Sequence, residues 1–167
     1  MTTNVISPVT KLLDRLNISY DVITIHLSED RKPIRNLVVL LRLQERDPTF
    51  IIRSLLFRTR SNTFVLLVVP EGSRADWGVL RNHLGERKLK MVDLDQIKEL
   101  TGYDVGAVTP IVLLENIQVL LDETVSNYLH VVIGSGILGY ELSLSNQDLS
   151  TAMGSAVHKG LFTKTDL

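Results

Sequence analysis

The run Gly102-Tyr103-Asp104-Val105-Gly106-Ala107-Val108-Thr109-Pro110 sets two glycines and a proline among small residues, between two apolar segments. Glycine lets the main chain take positive φ or come close to another molecule, and Pro110 drives Thr109 toward an extended conformation. Such a loop can bring bare backbone against a ligand. A second signal is Arg53, the one charge in the apolar run Phe50-Ile51-Ile52-Arg53-Ser54-Leu55-Leu56-Phe57. A charge in such a run must pair, reach solvent or serve a site. An arginine on the exposed face of a strand, or one snorkelling from its edge, satisfies the pattern equally well.

Other chemistries lack their residues. There is no cysteine, which excludes disulfides, thiolate metal sites and a thiol nucleophile. His26, His83, His130 and His158 show no metal-ligand spacing, and no serine sits in a G-x-S-x-G elbow. Asp122 and Glu123 are adjacent at a strand end, so they point to opposite faces and cannot act as a carboxylate pair; Asp122 could orient a ligand or cap the turn at Thr124. Gly134-Ser135-Gly136-Ile137-Leu138-Gly139 matches G-x-G-x-x-G. A dinucleotide site needs a helix opening in those glycines, whereas Tyr140 to Leu144 alternates like a strand.

The elements that must position these residues follow from periodicity and capping. Ser7-Pro8 predicts an N-cap with proline at the first helical position, opening a helix to about Asn17. Tyr20 to Ile25 alternates as a strand, and Pro33 to Gln44 places Ile34, Leu37, Val38 and Leu41 on one helical face. Phe50–Phe57 and Thr63–Val69, joined by Arg60-Ser61-Asn62, predict an antiparallel hairpin. Asp76 caps a helix through His83, Leu89 to Val92 is a brief strand, and Asp93 with Gln96 forms a capping-box pattern for a helix that Gly102 ends. Strands are expected at Val119–Leu121, Tyr128–Ile133 and Tyr140–Leu144, then a helix capped by Ser145. Residues beyond about Gly154 are expected to fray, with Ser155 and His158 among them. No repeat or linker divides the 167 residues, which predicts one α+β domain with its core at about 7–153.

Composition is that of a soluble globular chain, with 44% hydrophobic and 22% charged residues. No basic segment precedes an apolar run at the N-terminus and no apolar run suits a bilayer, which fits a cytoplasmic protein without membrane association. Net charge is −1, yet residues 1–90 carry 15 Lys and Arg against 9 Asp and Glu (+6), and residues 91–167 carry 3 against 10 (−7). The asymmetry suits a polyanion docking on the N-terminal half, to which Arg58, Arg60, Arg74, Arg81, Arg87, Lys88 and Lys90 would contribute. Halves that simply neutralise each other account for it equally well.

With Arg53-Ser54-Leu55 upstream and Gly136-Ile137-Leu138-Gly139 downstream, the Gly102–Pro110 loop resembles the YbaK/prolyl-tRNA synthetase-associated domain family, the freestanding editing deacylases. The likeness runs from about Ser7 to Leu149. It implies a mixed sheet, curled toward a barrel and flanked by helices. It further implies hydrolysis of the ester of a mischarged aminoacyl-tRNA carrying a small amino acid such as cysteine or alanine, on proline's tRNA among others. In this reading Arg53, where relatives carry lysine, would hold the 3′ terminal nucleotide or the ester, and the backbone of Gly106, Ala107 and Val108 would offer amides to the carbonyl oxygen. Ser54, Val108, Thr109, Pro110, Asp122, Gly136 and Gly139 would bind substrate. The resemblance implies no metal and no cofactor; the partners would be the 3′ acceptor end of aminoacyl-tRNA and an aminoacyl-tRNA synthetase. A paralogue that binds aminoacyl-tRNA or a nucleotide without turnover, and a protein whose apolar surface serves assembly, are the competing readings.

Overall fold

The computed structural model describes residues 4–27, 29, 33–34, 49–113 and 117–164. Helix α1 (Pro8–Arg15) opens as its residues dictate: Ser7 Oγ accepts from the Thr10 amide while Thr10 Oγ1 accepts from the Ser7 amide. Strands β1 (Asp21–Thr24), β2 (His26–Leu27) and β3 (Pro33–Ile34) follow, β2 and β3 pairing as a separate ribbon. Of the helix expected over Pro33–Gln44, Pro33–Ile34 is strand, and the remainder lies outside the described residues.

The predicted hairpin is the centre of the molecule. Strand β4 (Thr49–Thr59) pairs antiparallel with β5 (Phe64–Pro70) from Ile52↔Pro70 to Arg58↔Phe64. Then come β6 (Arg74–Ala75), α2 (Trp77–Leu84), β7 (Leu89–Met91), a 3₁₀ turn (Leu94–Gln96) and α3 (Ile97–Thr101). Asp76 caps α2 as expected, its Oδ1 accepting from the Val79 amide. Asp93 makes no side-chain cap, so the predicted capping box is replaced by the 3₁₀ turn. The chain continues through β8 (Gln118–Asp122), a 3₁₀ turn (Glu123–Asn127), β9 (His130–Gly134), β10 (Tyr140–Ser145), α4 (Asn146–Met153), β11 (His158–Gly160) and β12 (Thr163–Lys164).

The main sheet runs β1-β10-β9-β4-β5-β8-β11, with β7 attached to β4. It is mixed, as predicted: β4 is parallel to β9 and β5 to β8, and the other neighbours include antiparallel pairs such as β9 with β10. It does not close, since β1 and β11 end the path without pairing to each other. The apolar run of β5 is explained by burial on both faces. Leu66 and Val68 join the larger core, under α1, α3 and α4; Val65, Leu67 and Val69 join the smaller one with Leu80 of α2 and Phe162.

The expectation of a frayed end is overturned. β11 pairs parallel with β8, β12 pairs with β6, and the Phe162 side chain is 2% exposed. These two- and three-residue strands carry too weak a local pattern to announce themselves; partners distant in sequence make them. Among the described residues no helix is long and apolar enough to cross a membrane.

Candidate functional site

Strand β4 changes partner part-way along. Its parallel ladder with β9 stops at Ile51↔Val132, and its antiparallel ladder with β7 begins only at Phe57↔Met91. Residues 52–55 therefore have β5 on one side and, among the described residues, no strand on the other. The Leu56 carbonyl accepts from the Val92 amide on that open side. Because an antiparallel ladder alternates, the backbone N–H and C=O of Ser54 face the same way.

A pocket of about 340 Å³ occupies the gap. Residues 52–56 form one wall and Val105, Gly106 and Val108 another, while Met91, Val92, Leu94 and Ile97 supply apolar surface and Glu71, Gly134 and Glu141 complete the lining. Ser54 Oγ is buried there with no hydrogen-bond partner among the described residues. Arg53 is exposed and makes no ion pair among the described residues. Such a guanidinium can meet an anion at little desolvation cost, and an orphaned buried hydroxyl calls for a ligand or water.

The glycine-rich loop is bent toward this edge by its own hydrogen bonds. Gly102 ends α3 in the left-handed region (φ 86°), and its N–H donates to the Lys98 carbonyl. Tyr103 is buried and its hydroxyl donates to the carbonyls of Ile111 and Val112, which ties the loop's two ends together. Burial pushes the Tyr103 phenol up to about 12. The Ala107 amide donates to the Asp104 carbonyl, closing a turn in which Gly106 has φ 94°.

Neighbouring strands receive the loop. A Cβ on Gly134 would stand 2.3 Å from the Val108 carbonyl oxygen, so only glycine allows the loop to lie across the end of β9. The Gly136 amide donates to the Ala107 carbonyl, and Ser7 Oγ donates to the Ser135 carbonyl. The G-x-G-x-x-G segment is thus a glycine-rich turn between strands, and its first glycines seat the pocket loop.

Of the predicted residues, Arg53, Ser54, Gly106 and Val108 meet at the pocket. Ala107 is fully buried and its amide is spent within the turn, which corrects the expectation that it faces a carbonyl oxygen. Thr109 and Pro110 are buried beneath, Thr109 Oγ1 without a partner among the described residues. Gly136 and Gly139 lie outside the lining; the Gly139 carbonyl accepts from the Ile25 amide.

Asp122 is also outside it. It is fully buried, and its carboxylate accepts from the amides of Thr124 and Phe162 and from the hydroxyls of Thr124 and Thr163. Of the two roles left open for it, the turn cap is the one observed, extended to a clasp on the C-terminal strands. Sequence reasoning missed Glu71, Gly134 and Glu141. Glu141, 5% exposed, is a charge inside an alternating strand, the same anomaly that flagged Arg53. Two residues beyond Ile51↔Val132 stand Arg53 and Gly134, and Gly134 pairs with Glu141, so three strands bring these residues to one face. Among the described residues no group of three or more His, Cys, Asp or Glu could hold a metal ion.

Known proteins resemble this chain in sequence and in fold. The proline–tRNA ligase of Streptococcus mutans is 30% identical over 104 residues, 62% of this chain and 17% of that protein. The proline–tRNA ligase of Streptococcus thermophilus is 26% identical over 148 residues, 89% of this chain and 22% of that protein. The chain thus spans about a fifth of the length of these relatives. A crystal structure described as a candidate trans-editing enzyme for prolyl tRNA synthetase superposes with TM-score 0.72 at 19% identity, covering 96% of this chain and all of that one. A hypothetical protein of known structure gives TM-score 0.73 at 21% identity over 93% and 99% of the two chains, a likeness of fold. The family model of the aminoacyl-tRNA editing domain matches residues 31–152, which include β4, the loop and the β9–β10 turn. The chain belongs to the aminoacyl-tRNA editing domain family.

Proposed function

We propose that the pocket at the open edge of β4 receives the aminoacylated 3′ end of a mischarged tRNA and hydrolyses its ester. The observation that carries this reading is the Ser54 Oγ, without a partner among the described residues, on a strand edge whose backbone also faces the pocket, beside an Arg53 that makes no ion pair among them. Family membership supports the substrate class. Water adds to the ester carbonyl and gives up a proton. The tetrahedral intermediate expels the ribose oxygen, which takes up a proton, and the amino acid leaves. Developing negative charge meets the guanidinium of Arg53, the Ser54 hydroxyl and the bare backbone of the Gly106 bend, so catalysis rests on position and charge. A volume of about 340 Å³ suits a small aminoacyl group with part of the terminal nucleotide.

The loss of the Ala107 amide as a donor favours a second reading, capture of aminoacyl-tRNA without turnover. A panel of mischarged tRNAs separates the two. The expected outcome is release of a small amino acid at a rate that chelator leaves unchanged. Arg53→Ala loses most of it, and Arg53→Lys keeps or raises it, with unchanged melting. Release at the spontaneous rate across the panel rejects hydrolysis, and parent-like turnover in Arg53→Ala rejects the role of Arg53.

A further inference from the structure

A second and larger cavity, about 620 Å³, opens where β4 ends. Among the described residues six cations line it, Arg58, Arg60, Arg81, Arg87, Lys88 and Lys90, and no carboxylate does. They come from β4, the β4–β5 turn, α2, the stretch that leads into β7, and β7 itself. A solvated charged face spreads along one element, whereas here separate elements converge.

The pairing of Arg58 with Lys90 is the sharpest sign. They stand directly opposite each other in the β4–β7 ladder, where like charges destabilise and opposite charges stabilise. Arg58 is also half-buried. An anion between them reverses the sign of that pair. The cavity is braced as well: Thr59 and Thr63 exchange backbone and hydroxyl hydrogen bonds across the turn, and Ser61 Oγ donates to Glu86 Oε1 at 2.8 Å, tying the turn to the loop before β7. That contact also engages Glu86, a nearby acid, outside the lining.

We propose that this cavity grips the backbone phosphates of an RNA duplex. Its described lining holds no aromatic side chain on which single-stranded bases could stack, while the six cations suit sequence-independent contacts to phosphate. One further clause rests on the proposed function: the duplex is the one whose 3′ strand enters the pocket at Ser54. Arg58 lies four residues beyond Ser54 on the same face of β4, about 13 Å at ~3.3 Å per residue, so one RNA strand can reach both.

The test measures binding of a blunt RNA duplex, with no 3′ overhang and no ester, at several salt concentrations. Arg58→Gln/Lys90→Gln should weaken binding for all sequences alike and reduce the slope of log K against log salt by roughly 1.8, at ~0.9 per phosphate contact. Lys11→Gln, a cation of α1 far along the chain from the cavity, controls for net charge, and single Lys90→Gln serves if the double variant melts early. Parent-like affinity and slope in both cavity variants overturn the proposal. So does an equal loss in Lys11→Gln, or saturable inorganic triphosphate that displaces the duplex at one-to-one stoichiometry and marks a small-anion site. Since neither pocket nor ester takes part, absence of deacylation leaves this result standing, and its failure leaves deacylation standing.

Discussion

The pocket beside residues 52–56 and the cavity beyond residue 58 are made from one strand by opposite means. In the first, β4 lacks a second partner among the described residues, and their lining of the gap is backbone, apolar side chains, one arginine and two glutamates. In the second β4 has both partners, and the described lining is cationic with no acid. The first discriminates by shape and by a few directed donors; the second suits attraction over distance, weakened by salt. Their supports differ too. The pocket loop hangs on Tyr103 and the glycines of the β9–β10 turn. The wall that carries Arg81 hangs on the C-terminal strands: Asp122 accepts from the Phe162 amide, and the Phe162 carbonyl accepts from the amide of Asp76, the cap of α2.

If the supports are independent, damage to one should spare the other. Asp122→Ala leaves four donors without their buried acceptor, and a loss of at least about 3 kcal/mol in stability is expected from hydrogen bonds to a charged group. Chemical denaturation measures it. At low temperature duplex binding should weaken while hydrolysis of a minimal aminoacyl ester is retained; equal loss of both would merge the two regions into one. Gly134→Ala acts the other way. Its Cβ must displace the Val108 carbonyl, so a fall of about 10²-fold in single-turnover deacylation is expected, with duplex affinity unchanged. Full turnover in a folded Gly134→Ala would sever the loop from the site.

The smallest effect belongs to Tyr103→Phe, at about 1 kcal/mol near neutral pH for the lost hydroxyl. Its pH dependence is more telling. Burial holds the phenol neutral in the fold, so its contribution is complete below the unfolded value near 10 and is lost as pH rises toward 12. The parent should lose roughly 2 kcal/mol over that window at ~1.36 kcal/mol per pH unit, and the phenylalanine variant should lose less. Urea titrations between pH 9 and 12 decide it, and parallel curves would mean that Tyr103 is not buried as described.

Much of the molecule was legible before folding because its signals are local. Ser7-Pro8, Asp76, Gly102 and Ser145 mark helix ends through contacts within four residues, and each does so in the structure. The hairpin was readable from two β-rich runs and a polar turn. Asp93 failed since a 3₁₀ turn met the same backbone need without its side chain. The end of the chain failed because β11 and β12 exist only through β8 and β6. Half of the candidate site was likewise visible: glycines and a misplaced charge are anomalies in composition. Glu71 and Gly134 are ordinary until a fold sets them beside that charge.

By itself the sequence determined the helix ends at Ser7, Asp76, Gly102 and Ser145, the central hairpin, that thiol chemistry has no residue here, and that Arg53 and the Gly102–Pro110 loop need an explanation. Only the tertiary structure decided where β4 loses its partner, that Asp122 is a clasp, that the Ala107 amide is spent, and that cations from β4, α2, β7 and the loops between them share a cavity. The division is physical. Periodicity, capping and backbone preference act within a few residues, whereas strand partners and register depend on contacts between residues far apart in the chain, which no short stretch encodes alone.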